Sequence, residues 1–118
     1  MEEDYFLTFL ERKEIIAKLR ALNFDSFKVN AHFYNKFGLP RPGVTLQKAK
    51  EIFLQFDKIY QIFTRKGIGG KRYSVIYRFN KNKGYYLIFL LDESLELFDA
   101  YFFSGDVEKR LRKKYFGF

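Results

Sequence analysis

The groups best suited to chemistry in this 118-residue chain are one histidine and a few charges set among aromatic residues. His32, the only histidine, has an ordinary pKa near neutrality and can give or take a proton at working pH. At helical spacing Lys28 lies one turn before it and Lys36 one turn after, which sets positive charge beside the imidazole. A lone histidine on a polar helix face is the alternative. Arg78 falls in the middle of an alternating run, where a charge is costly unless it meets a carboxylate or a phosphate. Asp99 or Glu96 on a neighbouring strand would make that partner a structural ion pair, and Asp99 is otherwise a candidate general base. Tyr73 and Tyr101 suit stacking on a nucleobase or donation to a phosphate, although with nine tyrosines present any one of them also fits a core.

Charge points the same way. The net charge is +8 and the pI about 9.6. The excess gathers at Arg65, Lys66, Lys71, Arg72, Arg78, Lys81 and Lys83, and again at Lys109, Arg110, Arg112, Lys113 and Lys114. A polyanion is the partner such a distribution fits; solubility of an aromatic-rich chain is the plainer use of the same residues. The run Gly67-Ile68-Gly69-Gly70-Lys71 invites comparison with phosphate-cradling loops. It lacks their strand-to-helix setting, so it reads as a flexible hairpin whose Lys66, Lys71 and Arg72 reach backbone phosphates.

Several classes are disfavoured. Without cysteine there is neither a disulfide framework nor a thiolate metal site, and a single histidine with few clustered carboxylates argues against zinc. No metal or cofactor is expected. No apolar run reaches the length of a membrane span, and Met1-Glu2-Glu3-Asp4 is acidic where a signal peptide is basic, so a cytoplasmic location is expected.

The elements that must position these groups begin at Thr8-Phe9-Leu10-Glu11, a capping box that starts a helix to about Leu22. Tyr5 to Leu7 would extend that helix or form a short strand. A second helix is expected after Asp25 or Ser26, ending at Gly38, with Phe27, Phe33, Tyr34 and Phe37 on its apolar side and Lys28, His32, Asn35 and Lys36 opposite. After the rigid Leu39-Pro40-Arg41-Pro42-Gly43, Thr45 caps a third helix to about Phe56. Four apolar runs follow, Ile59 to Arg65, Arg72 to Asn80, Tyr85 to Leu91 and Leu95 to Phe103, separated by turn-forming residues as in an antiparallel meander. Tyr73, Val75, Tyr77 and Phe79 alternate with Ser74, Ile76, Arg78 and Asn80; Leu95, Leu97, Asp99, Tyr101 and Phe103 alternate with Glu96, Phe98, Ala100 and Phe102. Helices should cover one face, leaving a partly apolar surface that carries Arg78 or Asp99. A basic helix, Val107 to Phe116, closes the chain. Residues 1–118 thus read as one α+β domain, with N-terminal helices packed on a four-stranded antiparallel β-meander and a basic C-terminal helix.

This order of elements resembles the RelE, barnase and colicin-type ribonuclease superfamily. More specifically, His32-Phe33-Tyr34-Asn35-Lys36-Phe37-Gly38, then Ala49-Lys50-Glu51-Ile52 and Asp57-Lys58-Ile59, then Tyr73-Ser74-Val75-Ile76-Tyr77-Arg78 and finally Asp99-Ala100-Tyr101, is similar to its phage- and toxin-associated branch. The chain departs from the pattern at Lys36-Phe37, where a basic residue and a second histidine are usual, and at Asp99, where Thr or Ser is common. The resemblance implies a toxin-like, metal-independent endoribonuclease with a basic groove between the sheet and the second helix, and a cognate antitoxin or immunity protein covering that groove. His32, Lys36, Arg78, Asp99 and Tyr101 would then form the catalytic set, supplying a base for the 2′-hydroxyl, cations for the phosphorane and an acid for the departing 5′-oxygen. Arg65, Lys66, Lys71, Arg72, Tyr73, Lys81, Lys83, Lys109, Arg110 and Arg112 would hold RNA. The alternatives are a non-catalytic nucleic-acid-binding module and a protein-interaction domain of phage or mobile-element origin.

Overall fold

The computed structural model describes residues 5–33, 44–67 and 70–104, and these form an α+β arrangement of two α-helices and a six-stranded, mostly antiparallel sheet. In chain order the elements are β1 (Tyr5–Phe6), α1 (Phe9–Arg20), β2 (Lys28–Val29), α2 (Leu46–Phe53), β3 (Ile59–Gly67), β4 (Gly70–Asn80), β5 (Lys83–Leu90) and β6 (Glu96–Ser104), with short 3₁₀ turns at Phe24–Ser26, Ala31–Phe33 and Phe56–Lys58. Strand order across the sheet is β1-β3-β4-β5-β6-β2. The sheet therefore has two strands more than the four apolar runs suggest, one at each edge. The segment expected to form a basic terminal helix lies outside the described residues.

Both helices start where side chains satisfy the first free backbone N–H groups. The Thr8 hydroxyl accepts from the Glu11 backbone at 3.2 Å and the Glu11 carboxylate accepts from the Thr8 backbone at 2.9 Å, closing the capping box of α1. Thr45 accepts from the Lys48 backbone at 3.1 Å at the start of α2. From these starts α1 buries Leu19, with Ile15 and Ile16 half-buried beside it, and α2 buries Ala49, Ile52 and Phe53.

These stripes cover one face of the sheet. Ile62, Tyr73, Val75, Tyr77, Leu87, Phe89 and Leu97 meet them there, together with Phe24, Phe27 and Phe33 from the segment before α2. Phe53 sits at the centre of an aromatic cluster, its ring 5.6 Å from Phe24, 5.7 Å from Phe27, 5.2 Å from Phe56 and 5.9 Å from Phe89. Tilted and edge-on ring pairs of this kind are stabilising beyond the area they bury.

The second helix is not formed within the described residues. In its place are two 3₁₀ turns and the short strand β2, which runs parallel to β6 with Lys28 opposite Glu96 and Val29 opposite Leu97. The Lys28 and Asn30 N–H groups donate to the carbonyls of Leu95 and Leu97, each at 2.9 Å, and the Asn30 amide donates to Glu96 at 3.0 Å. Pairing with the sheet edge satisfies the backbone that a helix would have satisfied internally. It also lets Phe24, Phe27 and Phe33 all enter the core. Residues 34–38 of the expected helix lie outside the described residues.

A second departure lies in β6. The register slips between Ile88 and Phe89, so that Leu97 pairs with Phe89 while Asp99 pairs with Ile88. Phe98 is the extra residue of this bulge, and beyond it the alternation changes phase. Leu97 and Ala100 consequently belong to the helix-covered core, whereas Asp99 and Tyr101 occupy the opposite face. The expected grouping of Leu97 with Asp99 and Tyr101 does not hold.

Candidate nucleic-acid interface

On the face of the sheet away from the helices, β4 presents Arg72, Ser74, Ile76 and Arg78, β5 presents Tyr86 and Ile88, and β6 presents Asp99 and Tyr101. This face is more buried than a partly apolar open surface. Phe63, Ile76 and Tyr86 form a second buried cluster, with Phe6, Tyr60 and Tyr101 packed against it, and Ser74 and Asp99 are buried as well. One Asp99 carboxylate oxygen accepts from the Ala100 backbone at 2.8 Å, holding the bulge, and the Tyr101 ring stands edge-on to Tyr86 at 6.4 Å.

Arg78 shares this face, but it does not pair with Asp99 or Glu96. It lies in register with Gly84, which in turn faces Phe103, four residues beyond Asp99 on β6. Its guanidinium rests over the Tyr60 ring, 5.1 Å from the centroid. Glu96 is engaged at the other edge of the sheet by Ser94 at 2.7 Å and Asn30 at 3.0 Å, and these two hydrogen bonds hold its carboxyl below the usual range, with Lys28 contributing. The expected catalytic set is therefore divided. Arg78 on β4 is separated from Asp99 on β6 by the intervening strand β5 and by several rungs along the sheet, and Lys28 sits on strand β2 instead of one helical turn from His32. The His32 backbone lies in the Ala31–Phe33 turn at the β6 edge. The His32 side chain and Lys36 lie outside the described residues, as do Lys109, Arg110 and Arg112. Without the second helix, the expected groove between it and the sheet is also missing from the described residues.

The expected RNA-binding residues separate in the same manner. Lys81 and Lys83 flank the β4–β5 turn, while Arg65, Lys66, Lys71 and Arg72 surround the β3–β4 hairpin. At ~3.3 Å per strand residue, β4 holds these two groups roughly 30 Å apart. Tyr73 leaves the set. Its ring is buried on the helix-covered face and its hydroxyl donates to Asp92 at 2.9 Å, and burial together with that carboxylate pushes the phenol up to about 12.

What remains together is the hairpin end. Arg65 stands directly opposite Arg72, and on the next rung Lys66 stands opposite Lys71. Like charges facing each other across an antiparallel pair are destabilising, and here two successive rungs repeat the arrangement. Part of the strain is eased within the chain. The Arg72 guanidinium lies 4.2 Å from the Phe98 ring centroid and Lys71 Nζ lies 5.2 Å from that of Tyr73. A Cβ at position 67 would lie 3.0 Å from Arg72 Cζ, so a side chain there would displace the guanidinium by a few tenths of an ångström. Gly70, at φ +120°, takes a backbone conformation that glycine alone adopts readily.

The β1 edge and the start of α1 adjoin this end. Tyr5 is paired with Thr64, the residue before Arg65. The Tyr5 hydroxyl donates to Glu11 at 3.1 Å, and that bond raises the phenol's pKa. The Thr8 backbone N–H, the Thr8 hydroxyl and Tyr5, with Lys71 close enough to contribute, hold Glu11 below its ordinary range. Sequence reasoning missed Tyr5 and Phe9 as surface features; Tyr5 is 53% and Phe9 63% exposed. The signal was available in Phe9, Leu10, Arg12 and Lys13, where apolar residues directly after a capping threonine fall outside the stripe that Ile15, Ile16 and Leu19 define.

Among the described residues no helix is long and apolar enough to cross a membrane, and no group of three or more acidic or histidine side chains is placed to hold a metal ion. Comparison with family models, with curated proteins and with solved structures gives no match to the chain.

Proposed function

We propose that this chain is an RNA-binding domain that grips backbone phosphates at the β3–β4 hairpin. The observation that carries this reading is the pair of like-charged rungs, Arg65 opposite Arg72 and Lys66 opposite Lys71. A sheet that only had to fold would gain from opposite charges at these positions. A phosphate between two facing cations turns their repulsion into two favourable contacts, and the geometry of neighbouring strands brings both within reach of one anion.

The test is a salt titration of RNA affinity for the wild type and for a Lys66→Gln, Lys71→Gln double variant, both checked for native circular dichroism. Each phosphate contact removed lowers the slope of log affinity against log salt by about 1, so the double variant is expected to lose about 2. An unchanged slope overturns the assignment of the hairpin.

One feature supports cleavage as a second reading. The Ala31–Phe33 turn, which contains His32, lies beside β6, the strand that carries Asp99 and Tyr101. Under this reading the domain is a toxin-like endoribonuclease restrained by an antitoxin or immunity protein. Cleavage of mixed RNA in EDTA by the wild type, abolished in His32→Ala with binding retained, is the result expected of it; equal cutting by both proteins rejects it.

A further inference from the structure

We infer that the hairpin site takes unpaired rather than duplex RNA, and that Phe9 and Tyr5 serve as stacking platforms for its bases. This inference rests on the reading of the hairpin as an RNA site and adds the class of RNA it accepts.

Position comes first. Tyr5 pairs with Thr64, which alternation places on the same side of β3 as Lys66, the Tyr5 hydroxyl is fixed on Glu11, and Glu11 in turn feels the charge of Lys71. Tyr5 and Glu11 therefore share a side of the sheet end with the Lys66–Lys71 rung. Chemistry comes second. The Phe9 ring is 63% exposed, and Arg12 and Lys13, three and four residues along α1, place their charges 5.7 Å and 5.5 Å from its centroid. An exposed phenylalanine flanked by cations offers a base an apolar plane and its phosphate a counter-charge in the same step. Leu10, at 70% exposed, extends the apolar surface.

Duplex RNA does not suit such a surface. Its bases are stacked inside the helix and present edges rather than faces, so flat exposed rings beside the phosphate contacts gain nothing from it. In an unpaired strand successive bases are free to turn onto protein rings while the backbone follows the cations. Phe9 also has little structural work to do, because the capping box uses Thr8 and Glu11 and leaves the ring in solvent.

The experiment measures affinity for an unstructured RNA oligonucleotide and for the same strand annealed to its complement, using the wild type, Phe9→Ala, Phe9→Tyr and the Lys66→Gln, Lys71→Gln variant. Expected are tighter binding of the single strand by the wild type, an about tenfold loss of single-strand affinity in Phe9→Ala with duplex affinity unchanged, and recovery in Phe9→Tyr. The lysine variant should lose affinity for both. Equal affinity for the two RNAs, or a Phe9→Ala variant that binds the single strand as the wild type does, overturns the stacking inference while leaving the hairpin site intact. Failure of the wild type to bind either RNA with a salt-dependent affinity removes the RNA reading itself.

Discussion

The two faces of the sheet are built from the same four long strands but solve different problems. The helix-covered face is a deep apolar layer in which the buried hydroxyl of Tyr77 is satisfied by the Phe53 carbonyl at 3.3 Å and that of Tyr73 by Asp92. Across the sheet, a small aromatic cluster shares its face with Ser74, Asp99, Arg72 and Arg78. Charges on that side are handled by rings, Arg72 over Phe98 and Arg78 over Tyr60. Neither face has an open middle. Among the described residues, the strand ends and the β1 edge, where the facing cations, Tyr5 and Phe9 stand, are the surface offered to a partner.

The sharpest test of this contrast is a pair of core truncations. Phe53→Ala removes a fully buried ring contacted by four others and should cost about 4 kcal/mol in urea denaturation. Ile76 is equally buried, but among the described residues its cluster has two other buried members, Phe63 and Tyr86. Ile76→Ala should cost about 2 kcal/mol, at the low end for such changes, because a thin layer collapses around a lost side chain more readily. Equal losses would show that the second face carries as much of the fold as the first.

A smaller effect separates the two tyrosines of the first face. Tyr77→Phe deletes a buried hydrogen bond to the Phe53 carbonyl and should cost about 1 kcal/mol. Tyr73 is expected to act through pH instead. Its folded pKa, raised to about 12, lies above the ordinary 10.0, so the neutral phenol favours the fold fully below pH 10.0 and that contribution is lost as the pH rises towards about 12. Urea midpoints taken across this alkaline range should fall in the wild type and fall less in Tyr73→Phe. Parallel curves would place the titration elsewhere.

Much of this architecture is legible in local signals of the sequence. The capping box at Thr8 and Glu11, the cap at Thr45, the alternation of Tyr73, Val75, Tyr77 and Phe79 and the glycine hairpin each depend on residues close in sequence, and each forms as expected. What is not legible depends on distant partners. Phe27 and Phe33 fit a helical stripe equally well, and only the presence of the β6 edge draws Lys28 and Val29 into a parallel pair. The bulge at Phe98 is similar: a run with aromatic residues on both of its faces gives no sign of a slip set against Ile88 and Phe89 on the neighbouring strand. Both departures move the candidate site. One takes Lys28 off the helix assigned to His32, and the other sets Asp99 and Leu97 on opposite faces.

The smallest expected effect contrasts the two edges of the sheet. Glu11 at the β1 edge and Glu96 at the β2 edge are both held below their ordinary value of 4.5, the first chiefly by the Thr8 backbone and the second chiefly by Ser94. A depressed carboxyl stabilises the fold above its unfolded pKa, and that contribution disappears as the pH falls from about 4.5 through the lower folded value. Thermal midpoints measured from neutral pH to pH 3 should therefore fall less steeply in Glu11→Gln, which keeps a capping acceptor but cannot titrate, and likewise in Glu96→Gln. Only Glu11 adjoins the hairpin. Its neutralisation should also raise RNA affinity slightly at low salt, by removing an anion near Lys71, whereas Glu96→Gln should leave binding unchanged. If both substitutions, or neither, alter RNA affinity, the separation of a binding edge from a structural edge fails.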